Sequence, residues 1–274
     1  MKKTPLMMRK NSALWVVALV LTLASAVYQR VTGPSYPVRG TVTLGGETYR
    51  LRLERTHLTT GDQVLELPIA DREVTGEVRW RRYPSSEAFR TRHLERRGDV
   101  LEARLPRQPP AGKLEYQVLL TRGAEQQLFP ARPAITRFKN PESMAVLIPH
   151  ILAMFMAMML STRAGLAAVT GGRVGQYTAL TLVCLIPGGF VLGPVMQEQA
   201  FGDYWTGIPF GWDLTDNKTL IALVVWLLAA WAVWARKRGA RWAVAGASLV
   251  MLLIFMIPHS TWGSEIRWDE QPHT

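Results

Sequence analysis

Long apolar stretches without charged residues constrain this chain more than any other feature of its sequence. Five such runs occur, and the middle of each lacks Asp, Glu, Lys and Arg. A helix needs about 20 apolar residues, and at least about 17, to cross the hydrocarbon core of a bilayer. The last four runs therefore predict spanning helices, the shorter first run is marginal, and a purely soluble protein is excluded. The runs are 13–28, 144–162, 177–196, 219–235 and 242–258.

The loops between these runs differ in charge, and the difference predicts their side of the membrane. The N-terminus carries four cations, loop 163–176 two and turn 236–241 four, without a single acid. Loop 197–218 carries four acids against Lys218, and the tail after Pro258 is net acidic. Short loops rich in Lys and Arg stay on the cytoplasmic side. We therefore predict five crossings of a cytoplasmic (inner) membrane, with the N-terminus inside and residues 29–143, loop 197–218 and the C-terminus outside.

The first apolar run has two interpretations. A basic start, an apolar segment and the small residues Ala24-Ser25-Ala26 fit a cleavable signal peptide. An uncleaved signal anchor fits the same residues, and we adopt it for residues 1–32. The topology that follows is the same in both cases.

Residues 33–140 predict an extracytoplasmic all-β sandwich. Short β-type runs alternate with turn signals, and Gly45-Gly46 between the first two is a hairpin signal. Residues 49–53 and 74–80 alternate apolar and polar side chains, as in a sheet with one wet face. The seven predicted strands are 38–44, 48–53, 64–69, 74–80, 100–105, 114–120 and 127–129.

One short stretch carries a family resemblance. Leu105-Pro106, Pro109-Pro110-Ala111-Gly112 and the following Tyr116 resemble the approach to a late strand in immunoglobulin-like and fibronectin-like modules. The resemblance implies that Tyr116 is a corner tyrosine. Together, the patterns predict an α+β membrane protein: an anchor at 1–32, a β-sandwich at 33–140, and a four-helix transmembrane bundle at 141–274.

The charge distribution argues against a nucleic-acid partner, and the cysteine content excludes a disulfide-rich scaffold. The net charge is +11, from 32 Lys and Arg against 21 Asp and Glu, but the cations either flank apolar runs or alternate with acids. We therefore expect no nucleic-acid partner. A disulfide scaffold is excluded because Cys184 is the single cysteine, and we expect it to be a packing residue.

Arginines recur at alternating strand positions of the β domain. They form either a solvated sheet face or a docking face for anionic lipid headgroups or an acidic partner. The arginines are Arg50, Arg52, Arg79, Arg81, Arg90 and Arg92.

Two Ile-Pro-His elements are the strongest candidates for chemistry. His150 lies early in the second run and His259 closes the fifth, so both fall towards the predicted external side. Neutral histidine ligates metals, and the pair predicts a metal site or a b-type haem. Met154 and Met158 share a helical face with His150 and add copper as an option. The alternative is that each histidine bonds a carbonyl group freed by the adjacent proline.

The predicted external loop 197–218 is rich in aromatic, glycine and acidic residues. It is either a structured interfacial cap or a binding lid in which Asp203 or Asp213 faces a histidine. Asp216 is placed to cap the fourth span. The candidate residues are Asp203, Trp205, Asp213, Asp216 and, in the tail, Glu265.

No enzyme motif tested was found: no Walker loop, nucleophile elbow, dinucleotide fingerprint or His-Glu-x-x-His. We therefore expect a non-enzymatic integral membrane protein of a bacterial-type envelope. Besides the lipid bilayer, its expected partner is an envelope or membrane protein, bound through the β-sandwich and the external loop. The alternatives are a redox or metal protein with haem or copper at His150 and His259, and a small transporter or channel subunit.

Overall fold

The structure, a computed structural model, describes residues 5–259 together with Ile266 and Trp268, with side chains from Asn11 onward. The chain is α+β, and its described part divides into two units. A helical unit contains residues 5–33, 142–199 and 203–259. A β unit contains residues 34–141 and 200–202.

The helical unit contains four helices that are long and apolar enough to cross a membrane. They cover Asn11–Thr32, Met144–Thr170, Gly175–Phe201 and Leu214–Trp234, and Ala240–Met256 is a shorter apolar helix. The prediction of apolar helices that could cross a membrane is confirmed, but the marginal run differs. The first run, predicted to be marginal, lies in the 22-residue candidate Asn11–Thr32, whereas the fifth, predicted to span, forms the shorter helix Ala240–Met256. The elements are α1 (Pro5–Thr32), α2 (Met144–Thr170), α3 (Gly175–Ile186), a π-helical segment (Pro187–Leu192), α4 (Gly193–Phe201), α5 (Leu214–Trp234) and α6 (Ala240–Met256).

Small residues let these helices pack closely. A side chain at Gly165 of α2 would collide with Ser248 of α6. Trp226 of α5 is completely buried, and its Nε1–H points to Met251 Sδ of α6 at 3.1 Å. Close approach of this kind drives helix association where lipid offers no hydrophobic advantage.

The β unit contains ten strands in three sheets around one core. The orders are β1-β2, β3-β10-β9-β5-β6 and β4-β8-β7, all antiparallel except the β3–β10 pair. Side chains from all three sheets, among them Leu53, Leu67, Leu114 and Phe138, are completely buried in the same cluster. The strands are β1 (Val38–Leu44), β2 (Glu47–Leu53), β3 (Thr56–Leu58), β4 (Gln63–Pro68), β5 (Val74–Tyr83), β6 (Arg90–His93), β7 (Glu95–Arg97), β8 (Val100–Leu105), β9 (Lys113–Arg122) and β10 (Glu125–Lys139).

All seven predicted runs overlap strands, and the hairpin prediction is confirmed. Gly45 and Gly46 have φ of 59° and 82°, as the two-residue turn between paired strands requires. The strands β3, β6 and β7 were missed, and all four residues of β6 are exposed, so no apolar alternation marks it. β10 is also longer than predicted, because its pairing shifts between Phe129 and Ala134 and interrupts the pattern.

Tyr116 makes a long-range bond. Its buried hydroxyl donates to the Glu54 carbonyl oxygen at 2.6 Å, 62 residues earlier in the chain. A tyrosine corner would instead reach a backbone group a few residues upstream. The bond joins β9 to the backbone that follows β2.

Candidate functional site

Side chains from the start of α5 hold the preceding loop, residues 202–213, in place. Asp216 Oδ2 accepts the backbone N–H groups of Thr206 at 2.6 Å and Gly207 at 3.0 Å. Asn217 Oδ1 accepts the N–H of Ile208 at 2.8 Å. Asp216 is only 6% exposed, so its carboxylate is occupied in fastening the loop rather than open to a ligand.

The residue that caps α5 differs from the prediction. Asp213, with an extended ψ of 124°, is the N-cap and accepts the N–H groups of Thr215 and Asp216. The prediction that Asp216 caps the helix is wrong. Asp216 lies inside the first turn, where a side chain can reach back over the loop instead.

The aromatic residues of the loop divide into packed and exposed sets. Trp205 stacks on Phe190 with ring centroids 5.6 Å apart, and its indole N–H donates to the Ile208 carbonyl. Phe210 and Trp212 are 82% and 83% exposed, more than any other large hydrophobic side chain in the described residues.

Asp203 is exposed, and within the described residues it has neither a hydrogen bond nor an ion pair. The candidate Glu265 lies outside the described residues.

His150 of α2 bonds to the π-helical segment. Nδ1 carries a proton and donates to the Gly188 carbonyl oxygen at 2.9 Å, because a carbonyl oxygen can only accept. In a neutral ring this leaves Nε2 as the acceptor nitrogen. The same carbonyl accepts the N–H of Gly193, five residues on, as a π-helix requires. The alternative prediction, a histidine bonded to a carbonyl freed by its adjacent proline, does not describe His150, because the Gly188 carbonyl lies on another helical segment and keeps its bond from the Gly193 N–H.

Two glycines allow this approach. A Cβ at Gly188 would lie 2.9 Å from Ala153 Cβ, and one at Gly189 would lie 2.6 Å from Thr219 Cγ2. At these two positions the π-helical segment packs against α2 and α5 with no room for side chains.

His259 contacts a buried lysine. Lys218 of α5 is 2% exposed, and its Nζ donates to the Ile257 carbonyl oxygen at 2.7 Å and lies 3.2 Å from His259 Nδ1. An ammonium group has no acceptor capacity, so His259 Nδ1 accepts and its proton resides on Nε2. Lys218 thereby also satisfies a carbonyl group at the C-terminal end of α6.

His150 affects the pKa of His259 without a direct bond. Although part of the His259 surface is exposed, desolvation by the surrounding protein, the Lys218 ammonium and His150 together lower the pKa of His259. A cation beside His259 opposes the binding of a second cation at its ring. Within the described residues, no group of three or more His, Cys, Asp or Glu is placed to hold a metal ion.

Sequence reasoning missed Lys218 and Gly188 as parts of this site. In the sequence, Lys218 counted only as the one cation of the acidic loop 197–218. The signal in the sequence that could have identified Lys218 is its position, a lysine at the start of an apolar run on the acid-rich side. Its partners, Ile257 and His259, are 39 and 41 residues away in sequence.

Four of the six arginines predicted to form one face, Arg52 among them, pair with a carboxylate. Arg79 pairs with Glu77 at 3.0 Å, Arg81 with Glu115 and Arg90 with Glu87 at 3.7 Å. Arg92 donates to the Arg104 carbonyl oxygen at 2.8 Å. The predicted six-residue face is thus divided between two sheets, with Arg50 and Arg52 on β2.

Comparisons of the chain with protein-family models, with curated proteins and with solved structures found no match. Its function is therefore inferred from the residues themselves.

Proposed function

We propose that this chain is an integral membrane protein with five crossings, α1, α2, α3 with α4, α5 and α6. The cation-rich loops lie in the cytoplasm, and the immunoglobulin-like β unit, loop 202–213 and the C-terminus lie outside. The segregation of loop cations supports this orientation. A cytoplasm-active reporter should work after Arg173 or Arg238, and an export-dependent reporter after Lys139 or Asn217. Opposite results at either pair would contradict the five-span topology.

We also propose that α1 is retained as a signal anchor, because it makes specific contacts at both ends. Near its end, Gln29 Nε2 donates to the Phe255 carbonyl oxygen at 2.7 Å. Near its start, Asn11 accepts a hydrogen bond from Arg163 of α2, which is 3% exposed. The Arg163 guanidinium also lies 5.6 Å from the Trp15 ring centroid.

Cleavage after Ala26 would remove both Asn11 and Trp15. The Nε and Nη1 atoms of Arg163 have no hydrogen-bond partner among the described residues. Loss of the Asn11 bond would therefore leave this buried cation still less compensated and destabilise the fold. The intact mass of the protein purified from membranes should include α1. A mature protein starting near residue 27 would contradict retention.

The function supported best is non-enzymatic binding of another membrane protein, through the β unit and the loop. The carrying observation is the pair Phe210 and Trp212, exposed on a loop whose backbone is fastened by the buried Asp216. Exposed aromatic side chains on a preorganised backbone lose little entropy on binding and are typical anchors of interfaces. The loop joins two spanning helices, so its tip stays at the membrane face.

Photo-crosslinking tests this function. A photoreactive residue at Phe210 or Trp212 should give one discrete protein adduct in native membranes. The same residue at Trp231, a 59% exposed position within α5, should give lipid adducts only. The protein adduct should disappear in Asp216→Ala, which releases the loop. Lipid adducts alone at all three positions would contradict a protein partner.

A metal or haem site is the second candidate, and the orientation of His150 favours it. Its Nδ1–H is donated to a carbonyl oxygen, the usual arrangement of a metal-ligating histidine. In His259 the proton lies on Nε2 instead, because Nδ1 accepts a hydrogen bond from Lys218. An absorption spectrum and metal analysis of the purified protein test this candidate. A Soret band or bound metal that is lost in both His150→Ala and His259→Ala would support it, and a colourless, metal-free protein would exclude it.

A further inference from the structure

The β1–β2 hairpin places three arginines side by side on one exposed face. Arg39 is directly opposite Arg52, and Arg50, two residues along the same strand, is opposite Thr41. All four side chains are exposed, in contrast to the buried Val42 and Leu51 on the other face. We call Arg39, Arg50 and Arg52 the hairpin cluster.

The hairpin cluster has little internal neutralisation. Glu54 pairs with Arg52 at 2.6 Å, and the Arg39 guanidinium lies 5.5 Å from the Tyr36 ring centroid. Arg50 has no hydrogen bond or ion pair within the part of the chain that the structure describes. Like charges directly opposite each other on adjacent strands destabilise a hairpin. With three cations and one carboxylate, the face carries a net positive charge that attracts anions.

The backbone beneath the cluster packs closely on the core of the β unit. The hairpin cluster lines an open groove of about 560 Å³ together with Gly40, Thr41 and Leu51. A side chain at Gly40 would clash with the Phe129 ring beneath it, so the hairpin backbone lies tightly on the core. The planar guanidinium groups of the cluster can each offer two parallel N–H groups to phosphate oxygens.

Chain length indicates which anion is within reach. Arg39 is the seventh residue after Thr32, the last residue of α1, and seven extended residues span at most about 25 Å. Where α1 crosses a bilayer, this short connection keeps the lipid headgroups within reach of the hairpin. A cluster of cations near such a surface attracts anionic lipid within a Debye length, about 8–10 Å.

We propose that the hairpin cluster binds the phosphate groups of anionic phospholipids. It is a lipid-docking face on the β unit, separate from the loop 202–213 contact. The proposal rests on the proposed membrane insertion of α1, but on neither the membrane orientation nor the protein partner.

Vesicle capture by the full chain tests the proposal. The protein is placed in phosphatidylcholine nanodiscs and offered fluorescent vesicles containing about 30% phosphatidylglycerol, or phosphatidylcholine alone. We expect capture of the anionic vesicles only, weakening as salt rises. The triple variant Arg39→Gln, Arg50→Gln, Arg52→Gln should lower the affinity about 100-fold, since each cation near an anionic surface contributes about a factor of five.

A control triple removes the same net charge from paired arginines of the same unit. Arg79→Gln, Arg90→Gln and Arg104→Gln leave the hairpin intact and should keep most of the affinity, because these arginines lie within 4 Å of Glu77, Glu87 and Glu102. Equal losses in both triples, or no loss in either, would overturn the proposal. If the first triple fails to fold, Arg50→Gln alone, which breaks no bond in the described residues, should still lower the affinity about fivefold.

Competition distinguishes the sources of anion. At constant ionic strength, neither inorganic phosphate nor a polyglutamate peptide should displace the vesicles at concentrations matched in charge to the lipid. Displacement by phosphate would assign the face to a soluble anion. Tighter binding of the peptide, lost in the same triple variant, would assign it to an acidic protein segment, and either result would overturn the lipid proposal.

Discussion

Asp216→Asn tests whether the buried carboxylate holds loop 202–213 in place. The substitution keeps the shape and one acceptor oxygen but removes the charge. Asp216 Oδ2 accepts the N–H groups of Thr206 at 2.6 Å and Gly207 at 3.0 Å. A hydrogen bond to a charged acceptor contributes about 1.5–3 kcal/mol and a neutral one about 0.5–1.5. Two bonds weakened by about 1 kcal/mol each predict that opening of the loop becomes about 2 kcal/mol easier.

Hydrogen exchange measures this opening directly. A loss of about 2 kcal/mol should accelerate exchange of the Thr206 and Gly207 amides about 30-fold. Amides in the middle of α5 should exchange at unchanged rates, because the substitution touches only its first turn.

Asp203→Asn is the matched control. It removes the same charge from the same loop, at an exposed side chain with no partner in the described residues. Exchange should stay within about twofold of the wild-type rate, since an exposed unpaired charge contributes little. Equal acceleration in the two variants would refute the reasoning, and so would unchanged exchange in Asp216→Asn.

Two further predictions concern the β unit. A fragment of residues 34–138 should be soluble with a β-type circular dichroism spectrum, and a helical or unfolded fragment would contradict the domain prediction. In this fragment, Tyr116→Phe should lower the free energy of unfolding, measured in urea, by about 1–2 kcal/mol, because the bond to the Glu54 carbonyl oxygen is lost. The N–H of Glu73 and the guanidinium of Arg122 lower the pKa of Asp71, so the ionised Asp71 carboxylate stabilises the folded state. This contribution to the free energy of unfolding is complete above the unfolded-state pKa of about 4 and is lost as the pH falls through the lower folded-state value. Urea unfolding of the fragment between pH 6 and pH 2 should therefore be less pH-dependent in Asp71→Asn, and an unchanged slope would contradict the assignment.

The sequence alone determined the features that depend on neighbouring residues. The apolar runs predicted helices because spanning length is a property of one continuous segment. Seven strands and the Gly45-Gly46 hairpin followed from alternation and turn chemistry, which repeat over a few residues. The strand β6 escaped because its exposed side chains give no such alternation.

Only the tertiary structure decided how the candidate site is assembled. The bond from His150 to Gly188 joins residues 38 apart, and Lys218 contacts His259 from 41 residues away. No local pattern records such pairs, because helix packing and the π-helical segment bring them together. That Asp213 rather than Asp216 caps α5 likewise depended on the backbone angles at the start of the helix, which two nearby aspartates in a sequence do not reveal.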